Sequence, residues 1–374
     1  MNKEYKMCSV CVMDTTDKFI TFDDNGVCNH CKQYKQIKDT LINDSCEKEK
    51  ELQKIIDKIK KSGENRRYDC IVGISGGVDS SYVAYLAKQW GLRALLVHLD
   101  NGWNSELAVK NVENIVKYTG FDLYTLVIDW EEFKDLQRSF FKADVIDLEL
   151  LSDHAIFTTV RKLTRKYNIR YLLSGENFET EAILPKSWNW RKSDAANIKS
   201  IHKKFGSKKL KTFPFMGTIK KRFYQYTGVS QSISILNYID YNKQTVMAIL
   251  KDKMDWKYYG GKHYESIFTR FYQGVILPKK FKIDKRCAHL STLINSDQIK
   301  RDEALLLLKE EPYPKELQEE DFNLVCKKLD FSEDELNNYL NRPGKSHLEY
   351  KSDEFIFNLL RRVYHFFNLK KIIN

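Results

Sequence analysis

Between residues 69 and 175 short apolar runs alternate with longer amphipathic ones. Asp69-Cys70-Ile71-Val72-Gly73-Ile74 is nearly continuous in its apolar character, as expected of a strand covered on both faces. The pattern predicts strands at 69–75, 93–100, 122–129 and 169–175, and helices at 79–90, 105–119, 130–142 and 153–167. This alternation is that of an α/β fold with a doubly wound parallel sheet. Ser232–Ile239 reads as a further strand, the fifth of the sheet. Ligands of such sheets lie beyond the C-terminal strand ends, at the switch point. Three strand ends therefore matter: the loop at Ser75, Asp100-Asn101-Gly102, and Ser174-Gly175-Glu176-Asn177.

The flanks differ in pattern. Residues 1–40 form a cysteine-bearing ribbon, and 41–66 a polar linker with a helical run from Glu47 to Lys61, ending near Ser62-Gly63. The sheet unit is bounded at 67–245. Within it, 186–230 mixes lysines with Trp188, Trp190 and Pro214-Phe215-Met216-Gly217. That stretch reads either as a lid whose aromatic rings stack a nucleobase or as a solvated insertion. Residues 246–374 form a mainly helical C-terminal substrate region.

At the first strand end the sequence is Ser75-Gly76-Gly77-Val78-Asp79-Ser80-Ser81. A strand, a glycine turn and a helix N-terminus make an anion site, with free amides and the positive end of the helix dipole facing the bound group. Gly76 and Gly77 let the backbone approach it, and Ser75, Ser80 and Ser81 add hydroxyl donors. The G-x-x-x-x-G-K-[ST] phosphate loop is absent from this stretch. The S-G-G-x-D-S pattern resembles the PP-loop of the ATP pyrophosphatases, which implies transfer of AMP from ATP and release of pyrophosphate. Asp79, Glu176 and Asp100 are carboxylates near the expected phosphates, where they suit Mg²⁺. Asp79 reads equally as a helix cap, and Asp100 as a strand-terminating turn.

With 374 residues the chain holds two or three units. Its net charge is +11, from 62 Lys+Arg against 51 Asp+Glu. Either a polyanion such as tRNA or an anionic small substrate would suit that balance. The basic residues are spread along the chain, with one modest cluster from Lys186 to Arg222, which favours the small substrate over nucleic acid. No run of 18 apolar residues occurs, and the first residues lack a signal-peptide core, so a cytoplasmic protein without membrane insertion is expected.

Eight cysteines in such a chain point to metal or catalysis rather than disulfides. Cys8-Ser9-Val10-Cys11 and Cys28-Asn29-His30-Cys31 are two C-x2-C pairs, which together complete a closed structural zinc site with four thiolates. The stretch between them reads as a hairpin turning at Asn25-Gly26. His30 reads as a bystander. Cys287 and Cys326 read as small apolar fillers.

Further on, Tyr258–Phe271 follows a Gly260-Gly261 pair and carries Lys262, His263, Glu265 and Arg270, with Lys285 and Arg286 close behind. Mixed charges among aromatic rings suit an anionic substrate and a proton transfer; the same charges also suit a salt-bridged surface helix.

The whole chain resembles the N-acetyl sugar amidotransferases of surface-polysaccharide and nonulosonate synthesis, the pseudaminic-acid and lipopolysaccharide type. The resemblance is carried by the four-cysteine ribbon, the PP-loop, Leu99–Asn104, Gly175-Glu176-Asn177, Tyr259–Ser266 and Ile283-Asp284-Lys285-Arg286. It implies conversion of an acetamido group to acetamidino, with ATP activating the amide oxygen as an adenylate and ammonia expelling AMP. ATP would lie on Ser75, Gly76, Gly77, Asp79, Ser80, Ser81, Asp100 and Gly175. Catalysis would use Asp79, Glu176, Lys262 and Lys285, with Lys280 a further candidate to meet pyrophosphate. His263, Glu265, Arg270 and Arg286 would hold an anionic sugar or sugar nucleotide. The implied cofactors are structural Zn²⁺ and Mg²⁺. The implied partners are a glutaminase subunit and a barrel-type ammonia carrier, because no cysteine here has glutaminase surroundings. The alternative is a PP-loop tRNA-modifying enzyme of thiolase type, which needs active-site cysteines; the sheet unit holds only Cys70.

Overall fold

A computed structural model of the chain describes residues 4–41, 44–226, 231–261 and 264–362. The apolar runs become five strands: β1 (Cys70–Gly73), β2 (Ala94–Asp100), β3 (Asp122–Val127), β4 (Tyr171–Ser174) and β5 (Gln231–Ser234). They form a five-stranded sheet in the order β3-β2-β1-β4-β5, and every pairing is parallel. The chain leaves β1 toward β2 on one side and returns to β4 on the other. The switch point therefore lies beyond the ends of β1 and β4.

The period of two along a strand decides which face each residue covers. Cys70 and Val72 of β1 point to one side with Ile55, Ile56 and Ile59. Ile71 points to the other, with Leu95, Val97, Val160 and Leu163.

The helices before and within the sheet unit are α1 (Asn29–Lys38), α2 (Ser45–Gly63), α3 (Val78–Gln89), α4 (Glu106–Thr119), α5 (Trp130–Ala143), α6 (Leu150–Lys166), α7 (Phe178–Glu181), α8 (Ala195–Phe205), α9 (Thr218–Tyr226) and α10 (Lys243–Met254). α10 packs on α3 and α4, so the sheet unit runs past residue 245. After it come α11 (Ile267–Phe271), a π-helix over Tyr272–Phe281, α12 (Arg286–Asn295), α13 (Arg301–Lys309), α14 (Lys315–Leu329) and α15 (Glu333–Asn341).

Three expectations change. The fifth strand stops at Ser234, and Ile235–Tyr238 is a 3-10 turn whose Ile235 and Leu236 plug the core. Among its described residues the ribbon has no hairpin ladder, only isolated bridges at Met7–Asp14 and Phe22–Cys28. Its turn is held instead by the Gly26 amide on the Asp23 carbonyl at 2.9 Å, with Gly26 at φ +76°.

The third change concerns the 186–230 stretch, of which 227–230 lie outside the described residues: its tryptophans are not free to stack a nucleobase. Trp188 is buried, and the Trp190 ring stacks on His347 at 4.9 Å. Glu132 of α5 accepts the amides of Lys211, Thr212 and Phe213, and Asp135 accepts those of Ser207 and Lys208. Buried carboxylates this well satisfied fix the stretch to α5. No described helix is long and apolar enough to cross a membrane.

Candidate functional site

The turn after β1 is shaped by two glycines. Gly76 sits at φ +84°, and a Cβ there would lie 2.5 Å from the Ala108 carbonyl oxygen of α4. Its own carbonyl accepts Trp256 Nε1 at 2.9 Å and Asn111 Nδ2 at 3.3 Å. Gly77 is the N-cap of α3 and has no side chain to satisfy the first-turn amides. Ser75 Oγ and Ser80 Oγ stand 3.3 Å apart. Ser81 differs: it is buried, and its hydroxyl donates to the Gly77 carbonyl at 2.6 Å, so it serves the turn.

A cavity of about 410 Å³ opens beside this loop, and Ser75, Ser80, His98, Asn104, Ser152 and Glu265 are on its walls. One side is built by a strap from the C-terminal half. Asn104 and Ser266 form an antiparallel bridge, the Ser105 amide donates to the Glu265 carbonyl at 2.9 Å, and the Ile267 amide donates to the Trp103 carbonyl at 2.9 Å. His98 is oriented by the Ile74 carbonyl at its Nδ1 (2.9 Å) and by Asn104 Nδ2 at its Nε2 (3.2 Å).

A second cavity, of about 620 Å³, adjoins the first. Both fall in the size range of small-molecule sites. Glu176, Glu181 and Asn177 line one side of the second cavity, and Tyr264, Arg270 and Arg286 another. Arg270 is held by a two-pronged bond to Asp321, at 2.7 and 2.8 Å. Burial pulls its pKa down, and Asp321 more than restores it. Arg286 is forked onto Asp284 at 2.7 Å and donates to the carbonyls of Leu307 and Glu310, which fixes it as a wall.

Three residues line both cavities: Asp153, Gln273 and Lys285. Gln273 Nε2 donates to Glu149 Oε2 at 3.2 Å, and Lys285 Nζ lies 3.9 Å from the same oxygen. Burial pushes the Asp153 pKa up; Lys192 opposes this, while Glu149 and Asp147 add to it. Glu176 is pushed up by burial first, then by Glu181 and Asp153.

The expected residues thus divide. Ser75, Ser80, Glu265 and Lys285 meet at the first cavity, and Glu176, Arg270, Arg286 and again Lys285 at the second. Asp79 lines neither; its carboxylate accepts the Tyr241 hydroxyl. It is not the helix cap, a place taken by Gly77. Asp100 takes the turn role, its carboxylate accepting the Gly102 amide at 3.0 Å. Gly175 is a close-approach residue: a Cβ there would lie 3.1 Å from the Asp79 backbone and from Ser80 N. The loops of Asp79 and Glu176 therefore abut, although Glu176 lines only the second cavity. Lys280 is buried, its Nζ on Asp144 at 2.9 Å and on the Tyr339 and Arg342 carbonyls, and it lines neither of the two cavities. Lys262 and His263 lie outside the described residues. No motif surrounds Asp153, Gln273 or Glu149, so spacing alone does not single them out. Asp153 enters the sequence pattern only as the start of a helix.

The four ribbon thiols are buried, with all Sγ atoms within 4.8 Å of one another. Cys8 Sγ–Cys31 Sγ is 3.9 Å and Cys11 Sγ–Cys28 Sγ is 3.7 Å. A tetrahedral zinc with bonds of about 2.3 Å has sulfur edges of about 3.8 Å, so the cluster fits that ion. Amides of Val10, Cys11 and Cys28 point at Cys8 Sγ, at 3.2–3.5 Å, as suits a thiolate. His30 is turned away onto Asp17 at 2.8 Å.

Comparison with known proteins matches residues 265–364 to the model of the C-terminal domain of WbpG-like LPS biosynthesis proteins. Residues 48–144 match the NAD synthase model. A tRNA(Ile)-lysidine synthase of Chlamydia pneumoniae is 38% identical over 77 residues, which is 20% of this chain and 24% of that protein. The NH3-dependent NAD synthetase of Campylobacter jejuni is 15% identical, covering 56% of this chain and 93% of its own, with a TM-score of 0.31. The NMN synthetase of Francisella tularensis is 17% identical, covering 60% and 92%, with a TM-score of 0.28.

Proposed function

We propose that this chain, similar to the NAD synthase model over residues 48–144 and to the WbpG-like LPS biosynthesis C-terminal domain over 265–364, is a PP-loop enzyme of LPS biosynthesis that converts the acetamido group of an anionic sugar into an acetamidino group. The observation that carries this reading is the meeting of two cavities at one wall. The first cavity adjoins the PP-loop and suits ATP. The second has aromatic walls at Tyr264 and Tyr313 around the Asp321-paired Arg270, with Lys285 at its junction with the first, and is proposed to take the sugar or sugar nucleotide. A transfer of AMP from one occupant to the other needs such a shared wall.

An amide oxygen is a poor leaving group, and AMP is a good one. The amide oxygen attacks the α-phosphorus, and pyrophosphate departs over the α3 N-terminus, where backbone amides meet its charge. Lys285 adds a cation at the wall. Mg²⁺, for which Asp79 and Glu176 are the carboxylates the sequence offers, would neutralise phosphate charge.

The nitrogen is ammonia, delivered by a glutaminase subunit through a barrel-type carrier. In support, burial raises the thiol pKa of Cys70, Cys287 and Cys326, which makes them poor nucleophiles. The same fact speaks against a thiolase acting on tRNA: among the described residues no cysteine lines either cavity. The test is product analysis with ATP, Mg²⁺, ammonium and N-acetyl sugars. AMP and pyrophosphate should form, in a sugar-dependent way; ADP as the primary product would refute the assignment.

A further inference from the structure

We infer that Asp153 accepts a proton from the attacking ammonia, and that Lys192, from the 186–226 stretch, is the positioning residue that aims it. This rests on the amidotransferase reading above. At the shared wall Gln273 is neutral and Lys285 is a cation, so Asp153 is the one group of the three that can accept a proton.

Its setting is built. Lys192 Nζ lies 2.9 Å from Asp153 Oδ2 and 2.7 Å from Asp147 Oδ2. Asp147 is closed off, with a side chain 3% exposed, and also accepts the Trp190 amide at 2.7 Å. His154 Nδ1 donates to the Lys192 carbonyl at 2.8 Å. These bonds lock Lys192 against the first turn of α6. The Asp153 side chain stays 42% exposed, tied to Lys192 while lining both cavities. The 186–226 stretch, folded onto α5 rather than over a nucleobase, thus delivers the cation that orients the base.

The step balances. The amide oxygen bonds to the α-phosphorus, and pyrophosphate leaves with the electron pair of its P–O bond. Ammonia then adds to the imidate carbon, forming C–N. One proton passes from that nitrogen to Asp153. The C–O bond breaks with its pair going to AMP, which carries away the amide oxygen. The product is the protonated acetamidine, and nothing is oxidised or reduced.

The test uses the full chain with ATP, Mg²⁺, ammonium chloride and the N-acetyl sugar that supports wild-type turnover. Two rates are read: the pyrophosphate burst for adenylation, and acetamidine by mass spectrometry. Asp153→Asn should keep the burst within about threefold and lose acetamidine formation by about 10²-fold or more, releasing AMP without product. Lys192→Met should show the same split more weakly, and Lys192→Arg should restore part of it. A purely structural role would lower both rates together with the melting temperature. Acetamidine formation by Asp153→Asn within about threefold of wild type, or proportional loss of both rates in all variants, overturns the inference. If Asp153→Asn does not fold, Lys192→Met carries the same test, since it leaves the carboxylate in place. Wild-type chain that makes no AMP with any N-acetyl sugar would instead remove the reading beneath the inference.

Discussion

The Lys285 ammonium lies 3.9 Å from the Glu149 carboxylate, at the wall where the two cavities meet. At that distance Glu149 orients the cation without neutralising it by a close hydrogen bond. Lys285 is thereby poised at the junction of the two cavities. Lys285→Ala should lower the rate of AMP formation by about 10²–10³-fold, the usual effect of removing one preorganised charge-stabilising donor. The pyrophosphate release assay reads it, and a loss below about tenfold would assign the role to another cation.

The ribbon and the C-terminal helices share one core. Asn295 Nδ2 points at Cys31 Sγ, and Arg301 holds the carbonyls of Cys8 and Cys11 at 3.0 and 3.1 Å. Removing the metal should therefore loosen α12 and α13 as well as the ribbon. Elemental analysis should find about one zinc per chain, and chelation or Cys28→Ser should lower the melting temperature sharply. A metal-free chain with unchanged melting would contradict this.

Gly76→Ala should fail for two reasons at once. Its φ of +84° disfavours a side chain, and the added Cβ meets the α4 backbone at 2.5 Å, which a rotamer change cannot relieve. A loss of about 1–3 kcal/mol in denaturant unfolding is expected, with ATP use reduced further. Gly217→Ala, where a Cβ meets nothing within 4 Å, is the matched control and should change little.

Two buried histidines set the acid limit. Burial holds both His154 and His347 down at about 4, from an ordinary 6.5. Their neighbours fix the neutral form. In each, Nδ1 donates (to the Lys192 carbonyl and to Asn197 Oδ1), while Nε2 accepts a backbone amide, from Met216 and from Asp147. A proton on Nε2 would face another N–H. The unfolded chain binds these protons first, so stability is complete above pH 6.5 and falls as pH drops toward 4, by roughly 3 kcal/mol per histidine. Unfolding curves across that window should show the slope, and His347→Gln should flatten it. A stability independent of pH between 6.5 and 4 would contradict the assignment.

The sheet and its phosphate loop are legible because their signals are local. β1 is a buried apolar run, and the glycines follow it directly. In sequence Lys280 reads as a candidate to meet pyrophosphate and Arg286 as a substrate cation, but their charges are met by Asp144 and Asp284. The first of these partners is far along the chain, so no spacing announces it. Trp190 reads as a stacking surface and instead caps His347, again a distant partner. Asp153 is invisible for the opposite reason. It lies on an ordinary helical run, and only the fold brings Lys192 and the two cavities to it.

The most direct measurement follows the amide oxygen. An N-acetyl sugar labelled with ¹⁸O in its acetamido group is incubated with the chain, ATP, Mg²⁺ and ammonium. If AMP is transferred to that oxygen, the label should appear in AMP, and the sugar should become an acetamidine, about one mass unit lighter than the unlabelled acetamido sugar. Unlabelled AMP with an unchanged sugar would contradict the account.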